Sequence, residues 1–340
     1  MMIILRPAKL SDINQIERLA DESGTLVCTL PAIRELLVKK IEKSIHSFEQ
    51  DILSPGEEFY LFVLEEIDSG QILGTGAVNA LAGFHDPFYS FRNDTMIHSS
   101  RELNVHSRIH ALKLNHDLSD HSQLCTFYVV PSMHNTEYPK LVTLGRLLFM
   151  AAHEERFTNE WMAVLPGIAD ENGRAPFWEH VGRKFFGIDY NQVEYYHGTL
   201  EKTFIAELMP HYPLYVPLID EEAQQVMGQV HSDAELQCHL LSEQGFEPDK
   251  YLEIFDGGPI LTAPKSAVRL ARETCFGVIQ SGVNGIESSL NRYIIGYESK
   301  DGFQVIMVSA MPSDNGLIVG EKVIQQLGIE ENTSICFFSV

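Results

Sequence analysis

The segment that most constrains the fold is QLCTFYVVPSMHNTEYPKLVTLGRLLFMAAH, from Gln123 to His153. It opens as a strand, with Leu124, Thr126, Tyr128 and Val130 on one side and Cys125, Phe127 and Val129 on the other. Most of these residues are apolar or β-branched, so the strand is expected to be buried on both faces. Pro131 ends it, and from Leu141 the pattern turns helical, with Leu144, Leu147, Leu148 and Ala151 at spacings of three and four. A strand, a short turn and a helix start commonly cradle a phosphate, because free backbone N–H groups point outward there. Such turns usually carry glycine. This one reads His134-Asn135-Thr136-Glu137-Tyr138-Pro139 and has none.

Around this unit, strand and helix patterns alternate. Met2 to Pro7 reads as a strand, followed by a helix capped by Ser11 that carries Ile13, Ile16 and Leu19 and ends near Gly24. A second helix runs from about Ala32 to Phe48, and Phe59 to Glu65 with Ile72 to Asn79 form a hairpin around Asp68-Ser69-Gly70. Trp161 to Ile168 and Phe204 to Met209 read as strands, and Pro176 to Phe186 and Ile219 to Val230 as helices. Ser232 caps a further helix that Gly245 stops. From Tyr251 onward strand-like runs dominate: LEIFD, YIIGYE, FQVIMVSA and SICFFSV. The expectation is a mixed α/β sheet flanked by helices over residues 1–250, with a smaller β-rich C-terminal region over 251–340.

With 340 residues the chain is large enough to bury a core without staples. Its five cysteines are odd in number, scattered and never in a CxxC, so neither a disulfide framework nor a zinc site is indicated. A reducing, cytoplasmic setting is expected. MMIILRPAKLSD reaches a charge at Arg6 and has no extended apolar run, so no secretory leader is read, and no stretch approaches a membrane span. The net charge of −22 argues against a nucleic-acid partner, which needs a basic surface. The same charge suits plain solubility or a field favouring a small cationic substrate, and charge alone does not separate the two.

Several segments, taken in order, resemble one family, the arginine N-succinyltransferases. They are TLPA (Thr29 to Ala32), DPFYSFR (Asp86 to Arg92), ELNV (Glu102 to Val105), LCTFYVVP (Leu124 to Pro131) and LLFMAA (Leu147 to Ala152). PFW (Pro176 to Trp178), GRKFF (Gly182 to Phe186), FIAELMPHYPLY (Phe204 to Tyr215), GQVH (Gly228 to His231) and IFDGGP (Ile254 to Pro259) continue the series. The resemblance implies a GNAT-like acyltransferase fold: a mixed, twisted β-sheet whose central strand lies beside the pantetheine arm of an acyl-coenzyme A. It implies transfer of a succinyl group from succinyl-CoA to the α-amine of L-arginine, the first step of arginine degradation. Succinyl-CoA is then a co-substrate, and no tightly bound cofactor is expected. A homo-oligomer or pairing with a homologous subunit is the implied assembly.

By the same resemblance Phe127, Tyr128 and Val129 contact the acyl-CoA, and His231 of GQVH is the proton donor. His231 directly precedes the Ser232 cap, and a helix start favours neutral imidazole. The family's turn pattern is Arg-x-x-Gly-x-Gly, whereas here His134 stands for the arginine and Glu137 and Pro139 for the glycines. Glu137 then sets a carboxylate against a pyrophosphate, Pro139 removes an N–H, and the missing glycines add bulk. Arg92, Asp86, Glu102 and Asp256 sit in matching segments and are candidates for binding arginine, without assigned roles. His98, His106, His110, His116 and His121 crowd one region, and on a helix His106 and His110 would face together. The resemblance brings no metal, and none is expected.

Overall fold

The central strand is Ser122–Val129 in the computed structural model, which describes residues 2–170, 172–282 and 291–340. Its antiparallel neighbour, Gln71–Asn79, puts Thr75 opposite Tyr128 and Ala77 opposite Cys125, so Gly76 faces both Thr126 and Phe127. Two residues against one make a β-bulge, and Thr126 adopts a φ of 55° within it. The bulge overturns the simple alternation expected from the sequence. Leu124, Phe127 and Val129 share the core of the following helix, while Cys125 and Tyr128 pack toward the first two helices. A side chain at position 76 would collide with the neighbouring helix, since a Cβ there would lie 2.7 Å from Val142 Cγ1 and 2.9 Å from Arg146 Cδ.

On its other side the central strand runs parallel to Glu160–Val164, pairing Ser122 with Trp161, Gln123 with Met162 and Leu124 with Ala163. Pairing ends there and the two strands part. The expected strand to Ile168 is therefore shorter, because Pro166 and Gly167 lead the chain away. The central helix, Tyr138–Ala152, is buried over most of its length. Gly145 lets it approach the sheet closely, since a Cβ there would come within 2.4 Å of Leu5 Cδ2.

Among the described residues, fifteen strands form one continuous sheet. Five of them, Cys275–Gly282, Asn291–Ser299, Gly302–Ser313, Gly316–Gly320 and Ser334–Ser339, close into a small barrel. Closure comes from Asn291–Ser299, which pairs with both Gly302–Ser313 and Ser334–Ser339. The barrel joins the main sheet where Gly302–Ser313 pairs with Ile3–Pro7. Glu247–Leu252 and Pro259–Pro264 lie in the main sheet, between Glu160–Val164 and Ser90–Ser100, and residue 250 falls inside the first of them.

Local details differ from expectation where the signal was short. FIAELM is helical, Thr203–Leu208, because six residues do not separate a strand from a buried helical turn. LEIFD is a strand only as far as Leu252. The expected helix to Phe186 is two pieces, Pro176–His180 and Arg183–Phe186, broken at Val181. The helix at Ile219 covers only Glu221–Val226. Ser11 does not cap the first helix, Ile13–Ser23; Asp12 stands at that position. His106 and His110 lie on a strand, Val105–Asn115, paired with Ser99 and Thr95. The helical geometry that would join their rings is absent. No helix among the described residues is long and apolar enough to cross a membrane.

Candidate active site

A cavity of about 390 Å³ opens where the central strand and Glu160–Val164 part. Cys125, Thr126 and Phe127 form one wall, with Val164 and Pro166 opposite. The bulge is held from behind by Arg146 of the central helix. This guanidinium is fully buried, donates from Nη1 to Cys125 O (2.9 Å) and Ala77 O (3.2 Å), and stacks over the Phe127 ring at 5.5 Å. Burial pulls its pKa down to about 10. Thr126 is tied on both sides, its carbonyl to Thr75 Oγ1 (3.0 Å) and its hydroxyl to Thr29 Oγ1 (3.1 Å). The TLPA segment thus meets the bulge directly. Of the three strand residues expected at the acyl-CoA, Phe127 lines the cavity, Val129 is buried in the core, and Tyr128 packs toward the first two helices.

His231 stands one step from the cavity. Its backbone N–H donates to Pro166 O (2.9 Å), and Pro166 is part of the cavity wall. The residue is itself the N-cap of the turn Ser232–Ala234, so the expectation that Ser232 caps this helix is corrected. Nδ1 accepts the backbone N–H of Asp233 (3.2 Å). A neutral ring with Nδ1 engaged as an acceptor carries its proton on Nε2, where it is available to donate.

The glycine-free turn is exposed, but much of it is bonded to itself and to the strand before it. His134 Nε2 donates to Val129 O (2.8 Å), so this side chain caps the end of the central strand. The backbone N–H groups of His134 and Thr136 donate to Pro131 O and Met133 O, and that of Tyr138 to Thr136 Oγ1. Glu137 is paired with Arg292 of the barrel. The carboxylate expected to repel a pyrophosphate is therefore neutralised by a cation some 150 residues away in sequence.

The inner end of the cavity collects buried charge. Asp256 accepts the backbone N–H groups of Gly167 and Gly258 (both 2.7 Å), and Glu253 Oε2 accepts that of Asp256 (2.8 Å). Glu194 lies on the helix Tyr190–Thr199. Burial, helped by the charge of Asp256, pushes its carboxyl up to about 8. Glu253 is pushed well up by burial and then by Asp256 and Glu194. Burial pulls the Lys40 and Lys202 ammonium groups down. A site with three crowded carboxyls and two reluctant cations suits a ligand that brings positive charge and N–H donors.

Of the four residues considered for arginine, Asp86 and Asp256 line the cavity. Arg92 is held by Asp94 (2.9 Å) and Asp117 (2.7 Å), and Glu102 is exposed in the turn of the hairpin Ser90–Ser100 and Val105–Asn115. Glu194, His197, Lys202 and Cys28 were not singled out by sequence reasoning. A signal for the helix that carries Glu194 and His197 exists in Asp189 and Gln192, which form a capping box at its start.

A family model described as "Arginine N-succinyltransferase beta subunit" matches residues 3–270. A Pseudomonas aeruginosa protein named "Arginine N-succinyltransferase subunit alpha" is 40% identical over 340 residues, spanning all of both chains. The chain belongs to the arginine N-succinyltransferase family. Another relative, the arginine N-succinyltransferase of Yersinia enterocolitica, is 35% identical over 328 residues, covering 96% of this chain and 95% of its own. The solved structure of arginine/ornithine succinyltransferase subunit AI from Pseudomonas aeruginosa is similar throughout. It matches with a TM-score of 0.90 and 38% identity, over 99% of this chain and 98% of that one. As a member of the arginine N-succinyltransferase family the protein is an acyltransferase, and its mixed, helix-flanked sheet is the α/β architecture that the resemblance implied.

Proposed function

We propose that the protein transfers a succinyl group from succinyl-CoA to the α-amine of L-arginine, with His231 as proton donor. The observation that carries this reading is the cavity itself: it begins at a bulged, parted strand pair and ends in buried carboxyls. The parted strands offer an extended backbone edge to the pantetheine arm. The bulge at Thr126 and Phe127 frees peptide groups from the ladder, and an N–H there would polarise the thioester carbonyl. Glu194 and Glu253 would meet the guanidinium, so the α-amine is left facing the thioester.

In the reaction the neutral amine attacks the thioester carbon, a C–N bond forms and the C–S bond breaks. The proton the amine gives up passes to the His231 ring, and the imidazolium so formed protonates the departing thiolate and returns to the neutral ring. The net result is one proton moved from nitrogen to sulfur. No tightly bound cofactor enters this scheme, and succinyl-CoA acts as co-substrate. The relatives named as subunits favour an oligomer or pairing with a homologous chain.

A second reading is favoured by the self-bonded turn. The N–H groups of His134, Thr136 and Tyr138 are spent within the turn, which supports a non-catalytic or regulatory relative with weakened CoA binding. A free-thiol assay with succinyl-CoA and L-arginine, with the product located by mass spectrometry, separates the two. Arginine-dependent thiol release with the succinyl group on the α-nitrogen supports the enzyme. Absence of release at saturating substrates supports the second reading.

A further inference from the structure

The inner end of the cavity carries two groups that guanidinium recognition does not use. A guanidinium offers only N–H donors, and its natural partners are carboxylates and carbonyls. A thiol and an imidazole are poor substitutes. Yet Cys28 Sγ lies 3.6 Å from His197 Nδ1, and Glu194 Oε2 lies 4.0 Å from the same nitrogen. One donor atom from each of the three residues falls within 4.8 Å of the others, and all three line the cavity.

The local structure makes this arrangement. Glu194 and His197 are three apart on the helix Tyr190–Thr199, which sets them on one face. Cys28 follows the short turn Gly24–Val27 and packs directly against that helix, where a Cβ at Gly198 would lie 2.6 Å from Cys28 O. In a tetrahedral zinc site, bonds of about 2.3 Å to sulfur and about 2.0–2.1 Å to nitrogen set those two atoms about 3.6 Å apart. The Cys28–His197 separation of 3.6 Å already meets that edge. The corresponding nitrogen–oxygen edge is about 3.3 Å, so along that edge Glu194 closes a gap of less than about 1 Å.

We propose that Cys28, Glu194 and His197 bind a divalent transition metal of the zinc class, with an open fourth position facing the cavity. One thiolate and one carboxylate balance the charge of such an ion. Lys40 and Lys202 also line the cavity, and the charge of Glu253 acts on Lys202. The mixed sulfur, nitrogen and oxygen donor set selects a borderline-soft ion over magnesium or calcium. If Glu194 also meets the acceptor's guanidinium, as proposed above, metal and arginine exclude each other; that corollary rests on the functional reading, and the metal site does not.

The test is a cobalt(II) titration of the full-length, chelator-treated protein followed by absorbance. The expected result is a thiolate-to-cobalt charge-transfer band and intense visible bands of a four-coordinate ion, saturating at one equivalent. Cys28→Ser should abolish the charge-transfer band, and Glu194→Gln should weaken binding by about tenfold or more, a scale at which even outer partners of a metal matter. No thiolate band, or the same band in Cys28→Ser, overturns the proposal. Bleaching of the spectrum by L-arginine supports the shared use of Glu194. A spectrum that arginine leaves untouched refutes that sharing while the cysteine-dependent band still establishes the metal site.

Discussion

Arg292 of the barrel forms a two-pronged ion pair with Glu137 at the start of the central helix, Nε lying 3.0 Å from Oε2. This contact joins the C-terminal barrel to the turn where an acyl-CoA pyrophosphate is expected. It also changes how Glu137 acts, because a paired carboxylate repels an anion less than a free one.

Removing the cation should therefore expose the carboxylate. Arg292→Ala is expected to weaken CoA binding about two- to tenfold, and adding Glu137→Gln should restore it. Stability should change by less than about 1 kcal/mol, since both partners are partly exposed. Titration calorimetry on the two single variants and the double variant measures the coupling. Equal CoA affinity in all of them would separate this pair from the binding site.

The turn itself makes an independent prediction. Glu137→Gly with Pro139→Gly should raise CoA affinity, by removing a charge and restoring one backbone donor. No gain in affinity would show that binding does not depend on this turn.

His231→Ala should leave succinyl-CoA affinity close to that of the parent. Its turnover should fall by about 10²- to 10⁴-fold, the usual contribution of a positioned proton donor. A turnover rate equal to the parent's removes His231 from the mechanism.

Glu194→Gln should raise the KM for arginine by about 10- to 100-fold, the scale of a lost charged hydrogen bond, with the KM for succinyl-CoA unchanged. An equal rise in both constants would point instead to a general disturbance of the cavity.

Arg146→Met removes the donors that hold Cys125 O and Ala77 O. Urea denaturation is expected to show a loss of about 2–4 kcal/mol, because two buried carbonyls lose a charged partner. Acyl-CoA affinity should fall with it, since the bulge then loses its support. A variant of unchanged stability would mean that the bulge is held by the strands alone.

The elements with long, periodic signals were legible in the sequence: the central strand, the helix after it, and the hairpin around Asp68-Ser69-Gly70. The bulge at Thr126 was not, because an extra residue leaves composition unchanged and only shifts parity. The cavity was half legible. Phe127, Asp86, Asp256 and the neighbourhood of His231 were reached through segments that match a family, whereas Glu194 and His197 lie on a helix with little apolar contrast. Cys28 was counted only as one of five scattered cysteines, because a lone cysteine carries no pattern. The Glu137–Arg292 pair depends on barrel closure, a long-range event that no local stretch announces.

The central claim is that this cavity receives an acyl-CoA despite its altered turn, and calorimetric titration of the purified protein with succinyl-CoA tests it most directly. The account predicts saturable binding in the micromolar range. No heat of binding at millimolar succinyl-CoA would contradict it.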